Sequence, residues 1–370
     1  MKRVIEWCIE NRLLVIIFVV ALTILGIWSF VQIKKDAIPD LSDTQVIIQA
    51  TYKGQPPQVV EDQVTYPLTT KMLSVPFAKT VRGYSFFGFS FVYILFEDGT
   101  DLYWARSRVL ELLSGIQGKL PKGVSLELGP DATSIGWIFQ YALVDTTGKY
   151  TLADLRDMQD FVISYELTAV DGVSEVASIG GFKRQFQIEV DPNLLYQYRI
   201  SLSQIESALK KSNVEMGARL IQQAETEYMI LAKGYVKSVE NIKKIPIRSS
   251  GEGAVLRLEN IAHVSEGPDI RRGLADLDGK GEVVGGIIIM RQGEDVPRTI
   301  EKIKKKLDDL GKALPKGVKI EVTYDRGEII GRAISNLASK LAQELLIVAL
   351  ITIFFLLHFR SALVAIIILP

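Results

Sequence analysis

The sequence predicts two membrane-spanning helices bracketing an α+β body built from two βαββαβ modules, the second interrupted by an insertion. Three observations carry that prediction. Two long apolar runs stand out in an otherwise well-charged chain, the pentapeptide LPKGV occurs twice, and one pattern of strand, glycine turn, helix and strand recurs four times. The composition agrees. Of 370 residues, 48% are hydrophobic and 23% charged, so the apolar excess is concentrated rather than spread. The 43 basic and 43 acidic residues cancel, which excludes the basic excess of a nucleic-acid binder. One cysteine excludes an internal disulfide or a multi-cysteine metal cage, and the two histidines are too far apart in sequence for a zinc motif.

Leu13 to Ile33 is uncharged for 21 residues. At about 1.5 Å per residue it reaches roughly 31 Å, the thickness of a bilayer core. A cleaved signal peptide has a shorter apolar run and a small-x-small cleavage site. Trp28-Ser29-Phe30-Val31-Gln32 offers none, so a retained span is expected, with residues 1–35 forming a cytoplasmic start and transmembrane helix 1. The second run lies between Lys340 and Arg360, with Glu344 and His358 as its polar exceptions, and predicts transmembrane helix 2 over 336–359. Residues 360–370 then read as the truncated start of a third span, so the sequence is expected to be a piece of a longer multi-pass protein. Lys2, Arg3 and Arg12 before the first span and Arg360 after the second favour the cytoplasm for those ends. The large loop is then on the far side, which points to a bacterial inner membrane with a periplasmic domain. Cys8, beside the first span, is expected to be an inert thiol.

LPKGV stands at 120–124 and again at 314–318, an offset of 194 residues. The same offset aligns Ile94 with Ile288, Gly99 with Gly293, Asp101 with Asp295, Leu113 with Leu307, Glu127 with Glu321 and Asp131 with Asp325. Each copy reads as a strand, a glycine turn, a helix, LPKGV and a second strand. Two further units share this grammar, from Gln45–Tyr52 to Ala78–Gly83 and from Trp137–Asp145 through a helix at Leu152–Thr168 to Val173–Ser178. Gly54, Gly99, Gly148 and Gly293 each end a strand, where a turn often needs positive φ. Four such units form two ferredoxin-like βαββαβ modules, one at 36–131 and one split between 132–180 and 281–330.

The insertion, 181–280, has its own pattern. Phe186–Val190 alternates as a strand, Asp191-Pro192 turns the chain, and Ser201 to Gln204 forms a capping box at a helix start. Val214–Ile221 and Tyr228–Lys233 read as a hairpin with a polar tip, and further short strands follow. The aromatics of residues 83–96 are expected to be strand and core residues, with the lining of a substrate cleft as the alternative. Glu97, Asp98 and Asp101 read as helix-capping acids rather than ligands of a hard metal, and Lys302–Lys306 as a solvated helix face.

Several stretches resemble one family. DAIPDLSDTQVIIQATYKGQPPQVVEDQVTYPLTTKMLSVP (36–76), FEDGTDLYWARSRVLELL (96–113), GPDATSIGWIFQYALVD (129–145), LADLRDMQDF (152–161) and RSALVAIIILP (360–370) look like the heavy-metal efflux branch of the resistance-nodulation-division superfamily. The resemblance covers the whole chain. It implies a secondary active cation:proton antiporter rather than an enzyme, with no resident cofactor. It further implies a homotrimer embedded in membrane lipid, joined to a periplasmic adaptor and an outer-membrane channel. On this resemblance the two modules look like porter subdomains and the insertion like a docking subdomain.

TVRGYSFFGFSFVYILFEDGTDLYWARSRVLE (80–111) is closer to the Cu(I)/Ag(I) exporters than to the Zn/Co/Cd ones, which remain the alternative; a two-span anchored periplasmic sensor or binding module is the more remote one. Soft monovalent ions prefer thioether sulfur. The chain has six methionines, none paired at close spacing, and each has an ordinary reading as packing filler. The resemblance implies that the methionine ligands lie beyond Pro370, leaving Met216 and Met229 as the candidates here. Ile270 stands where members carry a further methionine. The proton-relay carboxylate is likewise implied beyond Pro370, leaving Glu344, the carboxylate within a predicted span, as candidate. No Walker A motif is present, consistent with proton drive.

Overall fold

The computed structural model describes residues 2–36, 38–223, 226–232, 234–249, 255–270 and 273–356. It begins with helix α1 (Lys2–Glu10), breaks at Asn11 (φ −106°, ψ 46°) and continues as α2 (Arg12–Gln32). The α1 helix is an addition to the plain start read from sequence. Leu13, Phe18, Leu22, Leu25 and Trp28 of α2 are all exposed. An apolar surface all round a helix of this length suits a bilayer, not a protein core.

Strand β1 (Gln45–Thr51) buries Val46, Ile48 and Ala50 and turns Gln45 and Gln49 to its other face. Gly54 takes φ +77° after it, and α3 (Pro57–Val60) starts on Pro57, tolerated where no helical N–H partner is needed. A π-helical turn, Glu61–Thr65, leads into α4 (Tyr66–Met72). Hairpin β2 (Ala78–Phe86) and β3 (Phe89–Phe96), helix α5 (Leu102–Ile116) and β4 (Ser125–Leu128) complete the unit. The sheet order is β2-β3-β1-β4, with antiparallel pairing throughout; Ile48 stands opposite Val92 on one side and Leu128 on the other. The helices bury one face of the sheet: Ile48, Ile94 and Phe96 pack with Val60, Leu68, Met72, Val109 and Leu113. Each large apolar side chain so buried contributes about 1.5–3 kcal/mol.

The second sheet repeats this plan. Strand β5 (Trp137–Asp145) is followed by α6 (Leu152–Met158), a second π-helical turn at Gln159–Ile163, α7 (Ser164–Thr168) and β6 (Val173–Gly180). The insertion then intervenes with β7 (Arg184–Val190), α8 (Pro192–Tyr198), α9 (Leu202–Ser212), the hairpin β8 (Met216–Gln223) and β9 (Thr226–Ala232), α10 (Val239–Lys243), β10 (Pro246–Ser249), β11 (Val255–Arg257) and β12 (Ala262–Pro268). The Ser201–Gln204 capping box forms as read, both hydrogen bonds present. Strand β13 (Val284–Met290), α11 (Val296–Ala313) and β14 (Val318–Asp325) close the sheet in the order β14-β5-β13-β6. In both sheets, therefore, the first and third strands are central and the second and fourth are edges.

Contacts divide the chain into two compact units. One holds 1–147, 159–179 and 284–370; the other holds 148–158 and 180–283. The second unit has a core of its own, Ile200, Ile205, Ile242, Ile245, Leu258, Ile261 and Val264.

The last described helix, α12 (Arg326–Leu356), departs from expectation. It starts directly after β14, ten residues before the 336 expected for helix 2. Residues 326–335 carry charges and two glycines, so an apolarity criterion passes over them. Nothing there interrupts the backbone ladder, and the helix runs about 46 Å from sheet to apolar segment. The expected third span, and the end of helix 2 after residue 356, lie outside the described residues.

Candidate functional site

The helix repeats place matching caps. Asp101 accepts a hydrogen bond from Trp104 N at 2.7 Å, and Asp295 accepts one from Arg298 N at 3.0 Å. Of the acidic turn at 97–101, Asp101 thus caps its helix, as read. Asp295 also takes the backbone N of Lys35 at 3.3 Å, and the Lys34 ammonium donates to the Gly293 carbonyl. The chain leaving α2 is thereby held to the loop before α11.

Two residues later, Asp36 meets Arg326, the first residue of α12. Arg326 is 2% exposed, and its Nε lies 3.0 Å from Asp36 Oδ1. Its Nη1 donates to the Ile135 carbonyl at 2.6 Å and its Nη2 to the Ile38 carbonyl at 3.4 Å. Burial raises the Asp40 pKa, but hydrogen bonds from Ser42 and Thr133, with the Arg326 charge, hold it below the usual carboxylate range. One guanidinium thus gathers the exit of α2, the entry of α12 and the segment joining β4 to β5.

That joining segment, 129–136, carries a second anchor. The Asp131 carboxylate accepts hydrogen bonds from Tyr103 Oη of α5 at 3.0 Å and from Ser174 Oγ of β6, and lies 3.5 Å from Arg291 Nε after β13. Its backbone carbonyl takes Gln292 N at 3.0 Å. Burial pushes this carboxyl up, yet the two hydroxyl donors and Arg291 outweigh it and keep the pKa low. Burial and the neighbouring carboxylate raise the Tyr103 phenol in turn. Asp131 therefore joins both sheets as a stable anion.

The first sheet keeps its second face open. Tyr84, Phe86 and Phe87 are exposed, and Tyr84–Tyr93 and Phe86–Phe91 form edge-on ring pairs at 5.5 and 6.0 Å. The two ring pairs, with Gln45, Arg82 and Leu95, line a shallow depression of about 390 Å³. Of the aromatics of residues 83–96, Phe96 enters the core, whereas the core reading of Tyr84, Phe86 and Phe87 is corrected. In an imperfectly alternating aromatic strand, apolar character alone does not say which face the helices cover.

Met216 stands opposite Ala232 in the hairpin, and Met229 opposite Leu220, so the register does not set the two methionines across from each other. Met72 is fully buried and Met290 nearly so, both in cores. Ile270 is exposed. Glu344 sits on α12, one turn after Lys340, at the start of the uncharged stretch 345–356. Among the described residues, no three His, Cys, Asp or Glu side chains cluster to hold a metal ion. In the second unit, Arg184 gathers Asp154, Asp157 (2.9 Å) and Glu266 (3.1 Å) and so ties helix α6 to the pair β7–β12. Sequence reading missed Arg326 and Asp131 as anchors, although the 194-residue repeat does mark Asp131.

Comparison with known proteins places this architecture. Residues 4–370 match the AcrB/AcrD/AcrF family. The cation efflux system protein CusA of Escherichia coli (strain K12) is 54% identical over 370 residues, 99% of this chain and 35% of that protein. The cobalt-zinc-cadmium resistance protein CzcA of Cupriavidus metallidurans is 33% identical over 376 residues, 100% of this chain and 35% of that protein. The crystal structure of a heavy metal efflux pump (crystal form I) superposes with a TM-score of 0.88 at 27% identity, covering 98% of this chain and 36% of that one. The chain spans about a third of the length of these relatives. Two helices apolar enough to cross a membrane, two sheets of one strand order between them and a family match from residue 4 to residue 370 lead to one conclusion: the chain belongs to the AcrB/AcrD/AcrF family, on the side of its heavy-metal efflux pumps.

Proposed function

We propose that this chain is the N-terminal portion of a proton-driven exporter of Cu(I) or Ag(I), a multi-pass protein of the bacterial inner membrane. It works as a homotrimer with a periplasmic adaptor and an outer-membrane channel. The two sheets are its ferredoxin-like porter subdomains, 36–131 and 132–180 with 281–330, and 181–280 is its docking subdomain. The shared strand order, first and third strands central, supports the first assignment; the separate core of the second unit supports the other.

The observation that carries the metal is the difference in identity. The chain is 54% identical to CusA and 33% identical to a protein named for cobalt, zinc and cadmium, over equal shares of each. Residues 80–111 lean the same way. On this reading the thioether ligands for a soft ion come from beyond Pro370; within this chain Met72 and Met290 are core residues. The porter body supplies the frame that opens and closes around the metal.

The test is deletion of the full gene in its host. Growth should become sensitive to copper and silver salts and unchanged in zinc and cobalt. Selective zinc or cobalt sensitivity would replace this reading with the divalent one.

A further inference from the structure

Three pieces of chain meet at Arg326: the exit of α2, the first residue of α12, and the segment 129–136 that joins the two sheets. The side chain is 2% exposed, and none of its partners, Asp36, Ile38 and Ile135, belongs to a helix or strand. Irregular backbone has no ladder of its own to fix it, so side-chain bonds such as these, with the Asp131 anchor and the backbone bonds to Met290 and Gln292, hold it in place. A planar fork of donors that stays charged suits that task, because it can address a carboxylate and two carbonyls at once.

The internal repeat separates this contact from the needs of the fold. The 194-residue offset pairs Asp325 with Asp131 and Arg326 with Ala132. Both sheets form with the same strand order, yet only the second has an arginine at this point. The difference follows the route of the chain. After β4 it enters the joining segment, whereas after β14 it runs straight into the apolar helix. The arginine is present where a sheet continues into a span.

On the exporter reading above, we propose that Arg326 is the positioning residue that passes displacement of the two spans to the joint between the sheets. The α12 helix is about 46 Å of uninterrupted backbone, so a shift of its apolar end arrives at Arg326 without being absorbed in a loop. There it acts on two elements at once. Through Asp36 and Ile38 it keeps the exit of α2 in step with α12. Through Ile135 it pulls on the segment that also carries Asp131, the anchor between the sheets. Lys34 and Lys35, held at Gly293 and Asp295, keep the α2 exit on the second sheet's side of the joint.

The experiment uses the full-length protein in proteoliposomes with silver ion as the probe, comparing wild type with Arg326→Met, Arg326→Lys and Asp36→Asn. Transport driven by an imposed pH gradient should fall at least tenfold in Arg326→Met and less in Asp36→Asn and Arg326→Lys, while silver affinity stays within twofold. Hydrogen exchange of 33–44 and 129–136 should quicken about tenfold in Arg326→Met, with the central strands β1 and β5 unchanged. Arg326→Met transport within twofold of wild type overturns the proposal. So does loss of silver affinity and of β1 and β5 protection together with transport, which marks a merely structural role. If wild type itself moves no silver, the exporter reading fails, and the exchange comparison alone decides whether Arg326 holds the joint.

Discussion

Asp131 offers a perturbation whose size can be worked out from the structure. Its side chain is 19% exposed and carries two hydroxyl donors and one arginine. A hydrogen bond to a charged group contributes about 1.5–3 kcal/mol when buried, and half-exposed Tyr103 brings its share to the low end. The Arg291 pair, on a side chain 45% exposed, adds no more than about 0.2–1 kcal/mol. Asp131→Ala should therefore cost about 3–5 kcal/mol, and Asp131→Asn, whose one amide oxygen replaces two carboxylate oxygens that each accept a different hydroxyl, about 2–3 kcal/mol. The pH dependence has a definite sign. The folded pKa is held below that of the unfolded chain, near 3.9. The contribution is thus fully present above about pH 4 and is lost as pH falls through the folded value. The gap between wild type and Asp131→Asn should narrow in acid. Denaturant unfolding followed by tryptophan fluorescence reads this locally, since Trp104 lies on α5 and Trp137 begins β5. An Asp131→Asn midpoint equal to wild type at pH 7, or a gap that does not close below about pH 4, would show that the Asp131 anion does not stabilise the joint.

Other expectations follow from the same geometry. Asp101→Ala and Asp295→Ala each remove an N-cap and should cost about 0.5–2 kcal/mol in thermal unfolding, with Asp295→Ala the larger because it also releases Lys35 N. Gln159→Leu strands the buried Tyr141 hydroxyl, now 2.9 Å from Gln159 Oε1, and should cost about 1–3 kcal/mol, seen as faster hydrogen exchange in β5. Phe96→Ala should cost about 3–5 kcal/mol. Phe86→Ala, on the open face, should cost only about 0.5–1.5 kcal/mol, the worth of its ring pair with Phe91. Equal losses for the two would mean that the sheet buries both faces.

Much of this architecture is legible in the sequence because local chemistry and global fold agree. The four glycines that close strands all adopt positive φ, at +77°, +82°, +68° and +80° for Gly54, Gly99, Gly148 and Gly293. Strands such as Trp137–Asp145 and the helical stretch 152–168 fall where alternation and helical spacing place them. The early start of α12 escaped because a span was sought by apolarity, while its first turns are polar. The π-helical turns have no compositional mark. The aromatic face escaped because both faces of β2 and β3 carry large apolar residues, and only the position of the helices distinguishes them. Arg326 and Asp131 escaped for a different reason: a lone Arg or Asp in a loop reads as solvated until distant segments are brought against it. The methionine and proton-relay readings stay with the resemblance, which implies ligands and relay beyond Pro370.

On the proposed reading, this chain is part of a machine that moves a soft monovalent metal at the expense of a proton gradient. The most direct test is metal movement by the purified full-length protein in sealed vesicles under an imposed pH gradient, with silver and zinc ions offered separately. Silver should cross at a rate that rises with the gradient and collapses with a protonophore, while zinc stays at the background of protein-free vesicles. Zinc movement with silver at background, or silver movement indifferent to the gradient, would rule out a proton-driven exporter of soft monovalent ions.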